Sequence, residues 1–173
     1  MDHTHLAPRS DLFAQTVPPT VRAFLPPELA ELVEDSLLLH RNAAVSENGV
    51  FNDYAFVVFP LAKAYEGFLK IFFFQLGVVK KDVYHARHFR IGRSFNPDLH
   101  PNLRDASWLY DDAVRLCGED VARELWQIWL DARNHLFHFF PADRYVLTNQ
   151  EAGVLIGRLL AAMQAALACR PRG

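Results

Sequence analysis

Along most of the chain the apolar positions recur at helical spacing, and no long stretch alternates as a strand would. After Pro26-Pro27-Glu28, the residues Leu29, Leu32, Val33, Ser36, Leu37 and His40 fall on one stripe, which predicts an amphipathic helix over residues 27–45. Proline suits the first turn of such a helix, and acids there complement its dipole. Ser46-Glu47-Asn48-Gly49 marks its end and a turn. Residues 51–79 are the most apolar segment. About 20 apolar residues suffice to cross a bilayer. Lys63, Glu66 and Lys70 argue against a span, because each charge at a bilayer centre costs roughly 2.5–3.5 kcal/mol on insertion scales. The segment reads instead as a long buried helix at the centre of a soluble bundle, kinked or interrupted at Pro60.

The pattern breaks after Val79. From Val83 to Pro97 aromatic and basic residues alternate, with Gly92, Pro97 and Pro101 as breakers, so residues 80–102 read as a long irregular loop or a short hairpin. Asn102 or Asp105 can cap a helix over 106–116, ended by Cys117-Gly118. Glu119 or Asp120 starts the next, whose apolar face is Val121, Leu125, Ile128, Trp129 and Ala132 and which Pro141 stops. Thr148 followed by Glu151 is a capping box for the last helix, with Val154, Leu155, Leu159, Ala162, Met163, Ala166 and Leu167 as its core face. The chain is therefore expected to be all-α. Residues 27–170 form one helical domain behind a leader, 1–26, which carries four of the ten prolines and a short helix around Asp11–Val17.

Composition adds that 173 residues, 51% of them hydrophobic, can bury a core without staples. Cys117 and Cys169 read as independent thiols, and with no secretory signal in view a reducing cytoplasm is expected. The net charge of −2 argues for no partner, but its distribution is uneven. Residues 28–53 hold six acids against Arg41, whereas residues 80–104 hold six bases against Asp82 and Asp98. Arg87, Arg90 and Arg93, interleaved with aromatics, suit phosphates and bases of single-stranded nucleic acid. They equally suit a solvated loop tucked down by Phe89, Ile91 and Phe95. Lys63, Glu66 and Lys70 share one stripe of an otherwise apolar helix. That stripe is either an ordinary solvent face or the wall of a polar cleft in which Lys63 and Lys70 bind RNA.

The densest chemistry lies in Asp131-Ala132-Arg133-Asn134-His135-Leu136-Phe137-His138. Histidine titrates near pH ~6.5 and can act as base or acid, and arginine offers a permanently charged fork for phosphate oxygens. In a continuous α-helix Asn134 and His138, four apart, share a face, so the amide can orient the imidazole. Arg133 would then sit ~140° round the axis from His138, on 100° per residue. His135 is the supporting histidine. Cutting RNA without a metal needs a base for the 2′-hydroxyl, an acid for the leaving 5′-oxygen and positive charge on the phosphorane. One imidazole cannot be both acid and base in one step, so a two-fold dimer pooling two copies would be required.

The spacing Arg133-Asn134-x-x-x-His138 resembles the signature of the HEPN superfamily, small helical domains that are often metal-independent ribonucleases. Roughly residues 50–168 are similar to the catalytic domain of RNase LS-type toxins, the RnlA family. The similarity lies in the helix Tyr54-Ala55-Phe56 through Phe59-Pro60-Leu61-Ala62-Lys63-Ala64-Tyr65-Glu66-Gly67-Phe68, the aromatic-basic loop and the motif helix. The resemblance implies a HEPN-like bundle and a homodimer that cleaves single-stranded RNA to a 2′,3′-cyclic phosphate without metal or other cofactor. It also implies an antitoxin or other inhibitor, in a toxin–antitoxin or antiphage setting. Glu66 matches the glutamate that joins the arginine and histidine in that family, making Arg133, His138 and Glu66 the expected catalytic set. Those toxins carry further N-terminal domains, where this chain has a short leader. Two rivals stand beside this reading. One is a metal site from His85-x-x-His88 or His135-x-x-His138 with Cys117, which lacks the His-Glu-x-x-His pattern. The other is a non-catalytic RNA-binding or protein-interaction module of the same shape.

Overall fold

A computed structural model describes residues 15–45, 51–105, 108–138, 141 and 145–169. Among them the chain is all-α, without strands. The helices are α1 (Pro19–Phe24), α2 (Pro27–Val45), α3 (Ala55–Gln75), α4 (Lys81–His85), α5 (Ile91–Ser94), α6 (Tyr110–Cys117), α7 (Glu119–Trp129) and α8 (Asn149–Ala168). A 3₁₀ turn, Pro101–Leu103, precedes α6, and α7 continues as a π-helix over Leu130–His135.

The core is organised around α3, which packs along α2 and α8 and touches α7 and the π-helical segment. Tyr65, Phe68 and Phe72 recur at helical spacing and lie ring on ring, with centroids 6.2 and 5.7 Å apart. All three are essentially sealed from solvent. The Tyr65 hydroxyl, buried with them, donates to the Leu125 carbonyl at 2.9 Å and ties α3 to α7. Burial pushes its pKa well above the usual tyrosine value, with the nearby Glu124 charge adding to the effect. Pro60 neither ends α3 nor splits it. It sits in the second turn, where its ring can disturb only the carbonyl of Phe56 near the helix start.

Two polar residues of the α2 stripe are buried. The Ser36 hydroxyl donates to the Val57 carbonyl, and His40 Nε2 donates to the Asn149 carbonyl at 3.0 Å, so α2 is hydrogen-bonded to α3 and to the start of α8. His40 lies against Gly153, where an added Cβ would come within 2.7 Å of the imidazole. The α8 capping box forms as expected: Thr148 Oγ1 accepts from the Glu151 amide, and the Glu151 carboxylate accepts from the Thr148 amide. Donation to the carboxylate from the Thr148 amide, and from its hydroxyl at 2.8 Å, holds the Glu151 pKa below the usual carboxylate value. By length and composition α8 could cross a membrane, yet Ile156, Leu159 and Met163 are buried against the other helices.

Several expectations are corrected. Of the short helix expected around Asp11–Val17, residues 11–14 lie outside the described residues and 15–17 are not helical; α1 forms instead behind Pro18 and Pro19. That segment packs into the core, with Val21 buried and the Phe24 ring 5.2 Å from Phe68. The turn at Ser46–Gly49 is outside the described residues. Residues 80–102 are neither hairpin nor irregular throughout, since α4, α5 and the 3₁₀ turn occupy much of them. Phe89, Ile91 and Phe95 do tuck the segment down, all buried. The helix expected over 106–116 begins only at Tyr110. Trp108 instead donates its Nε1–H to the Asn96 carbonyl at 2.9 Å and carries the Arg104 guanidinium 4.1 Å above its ring.

The two cysteines are not independent. Cys117 at the end of α6 and Cys169 just past α8 form a disulfide, with Cα atoms 5.1 Å apart. Fifty-two positions separate them in sequence. The packing of α6 on α7 and of α7 on α8 brings the two ends together. The pairing also removes Cys117 from any set of metal ligands.

Candidate functional site

Lys63, Glu66 and Lys70 do form a polar wall. They line one side of a groove of about 420 Å³, with Arg133 facing them and Phe59 and Phe137 at its apolar end. Glu66 is the hub: Oε1 lies 3.0 Å from Lys70 Nζ and Oε2 lies 3.8 Å from Arg133 Nε. Its carboxylate is 25% exposed and the arginine 39%, so the pair is half withdrawn from water and half open to a ligand. Lys63 stands exposed one turn before Glu66 and adds a further positive charge. Three cations surround one carboxylate, which leaves the groove positive and suited to an anion. The edge-to-face contact of Phe59 with Phe137, centroids 5.0 Å apart, floors the apolar end.

The π-winding decides which way the motif side chains point. Ile128, Ala132 and Leu136 are all buried, spaced four apart. In an α-helix residues four apart drift by about 40° per step, on 100° per residue. A wider turn reduces that drift and keeps the three on one stripe. Such π-segments are rare and recur at functional sites. Arg133 is thereby directed into the groove. His135 is directed elsewhere: its Nδ1 lies 3.7 Å from Asp131 Oδ1, and its ring is 6.4 Å from that of Tyr145.

The α-helical relation expected between Asn134 and His138 does not hold. The helix is π-wound from Leu130 and ends at His135, leaving Leu136 in a turn and Phe137 and His138 in a bend. Asn134 is half-buried, and His138 is exposed; it follows Phe137, which lines the groove, but does not itself line it. The shared face required a helix continuous from Asn134 to His138, and the chain leaves the helix after His135.

Asp131 turns away from Arg133 and anchors the far side of the π-segment. Its carboxylate accepts from Arg158 Nη1 at 2.9 Å and from Gln127 Nε2 at 2.8 Å, while Arg158 Nη2 reaches Glu124 at 3.3 Å. Burial works against the charge on Arg158, but the bonds to Asp131 and Glu124 outweigh it, so its pKa stands above the usual arginine value. Tyr145 beside this cluster has its pKa raised by burial and by the Asp131 charge. Arg158 was overlooked from sequence. Its signal was present, since it is the one charged residue between Ala152 and Ala168.

The three arginines of the loop do not reach the groove as a set. Arg90 and Arg93 line a separate cavity, and Arg87 is exposed, accepting at its carbonyl from Arg90 Nη1 at 2.6 Å. Lys70, which lines the groove, has its Nζ 5.9 Å from the ring centroid of Phe89, which lines that cavity. Among the described residues no three His, Cys, Asp or Glu side chains gather as a metal site would require.

No family model matches the sequence, and neither a curated protein nor a solved structure matches the chain.

Proposed function

We propose that this chain is a metal-independent endoribonuclease of the HEPN type, acting on single-stranded RNA as a dimer. The observation that carries the reading is the groove in which Glu66 on α3 meets Arg133 on a π-helical segment between two lysines. The scissile phosphate would sit against Arg133, Lys63 and Lys70, whose charges favour the phosphorane over the ground-state diester. Glu66 would hold the arginine fork in place. His138, exposed and next in sequence to the groove residue Phe137, would act as acid or base, with the second imidazole coming from a partner copy. Arg87, Arg90 and Arg93 would carry the flanking strand. An enzyme of this kind needs an inhibitor in its host, hence an antitoxin or comparable regulator, and a cytoplasmic site of action.

The test is incubation of the purified chain with end-labelled single-stranded RNA in EDTA, beside Arg133→Ala and His138→Ala. Cleavage to a 2′,3′-cyclic phosphate, reduced ~10²–10⁴-fold in each variant as for loss of an acid or base, is the expected result. A variant that cuts as well as wild type removes its residue from the mechanism. The second reading, a non-catalytic RNA-binding or interaction module, is favoured by the turning of His135 toward Asp131. Binding without cleavage by the wild type would establish it.

A further inference from the structure

The segment over residues 80–105 closes on a cavity of about 360 Å³, distinct from the Glu66–Arg133 groove. One wall is apolar, formed by Val79, Val83 and Phe89. Lys80, Arg90 and Arg93 stand against Asp82 and Asp105, which leaves one positive charge in excess. That balance suits a ligand with a single phosphate better than a di- or triphosphate. The volume lies at the low end of the ~300–1,000 Å³ of small-molecule sites, enough for one nucleotide and too little for two.

The polar groups are arranged for such a ligand. Arg90, which lines the cavity, is tied by its Nη1 bond to the Arg87 carbonyl. Arg93 Nη2 lies 3.8 Å from Asp105 Oδ2, a loose and largely exposed pair that a phosphate can displace from the guanidinium. The apolar wall offers a surface for the base itself.

We propose that this cavity binds one nucleoside monophosphate unit, its phosphate on Lys80, Arg90 and Arg93 and its base against Val79, Val83 and Phe89. The unit is either a free nucleotide or one residue of an RNA strand. Only the second source rests on the ribonuclease reading, with Lys70 beside Phe89 as the bridge to the groove.

Calorimetric titration of the full chain in EDTA tests the proposal. The ligands are the four nucleoside 5′-monophosphates, the nucleosides, inorganic phosphate and an uncleavable 2′-O-methyl tetranucleotide. At least one monophosphate or the tetranucleotide should bind at least tenfold tighter than nucleoside or phosphate. Arg93→Gln, at an exposed position, and Val83→Trp, which fills the cavity without changing charge, should each weaken that binding at least tenfold. Binding of a monophosphate identifies a free-nucleotide site; binding of the tetranucleotide alone assigns the cavity to an RNA strand. Phosphate binding as tightly as the nucleotide, no binding of any nucleotide ligand, or binding indifferent to Arg93→Gln would each overturn the proposal. Because nothing is cut in this assay, its failure leaves the cleavage reading untouched, and a lack of cleavage leaves this result standing.

Discussion

The disulfide offers the sharpest test of the fold. Reducing it, or replacing Cys117 and Cys169 by serine, frees a loop whose ends are 52 positions apart. In the chain-entropy treatment the lost constraint on the unfolded state is worth about 4 kcal/mol for a loop of that length. At ~2–4 °C per kcal/mol for a domain of this size, the melting temperature should fall by about 8–16 °C. Urea unfolding of oxidised, reduced-and-alkylated and doubly substituted protein provides the equilibrium measurement. The slope of free energy against urea should also rise on reduction, because the unlinked unfolded chain exposes more surface. Cys117→Ser and Cys169→Ser should each cost as much as the pair, since either alone abolishes the link. Coincident curves for the oxidised and reduced chains would refute the reasoning, as would thiols that titrate freely in the folded protein. A reducing cytoplasm would hold the chain in its less stable form, so the same measurement bears on where it can work.

Other expected outcomes are independent of that link. Gly92→Ala should destabilise by about 1–3 kcal/mol, because the new Cβ would stand 2.3 Å from the Trp129 ring; a shift in tryptophan emission should accompany it. His40 has its pKa lowered from the usual 6.5 by burial, with Arg41 adding and the Asn149 bond opposing. The unfolded chain therefore binds the proton more readily, so stability is full above about pH 6.5 and falls as pH drops from there toward the lower folded value. Denaturation midpoints at pH 7.5 and 5.5 should show this fall, and His40→Gln should flatten it. Thr148→Ala should cost about 1 kcal/mol through loss of the α8 cap, measurable by thermal melting. Glu66→Gln should leave the fold intact, release Arg133 and raise the net positive charge of the groove by one, visible as tighter binding of single-stranded RNA at low salt.

What the sequence determined by itself was whatever local rules govern. The α2 stripe from Leu29 to His40, the apolar run of α3 and the Thr148–Glu151 box each carry their signal within a few residues, and those helices stand where periodicity and capping put them. Lys63, Glu66 and Lys70 were legible as one stripe for the same reason. Tertiary structure decided the rest. The 80–105 segment coils into short helical turns because Trp108 bonds to Asn96 and Leu109 bonds to Ser94, contacts between positions more than ten apart. Cys117 and Cys169 meet because two helix pairs pack, which no spacing announces. The motif itself was divided by winding: a π-turn that keeps Ile128, Ala132 and Leu136 buried directs Arg133 to Glu66 and His135 to Asp131. Residue type is written in the chain, but direction depends on degrees per residue, and core packing sets those.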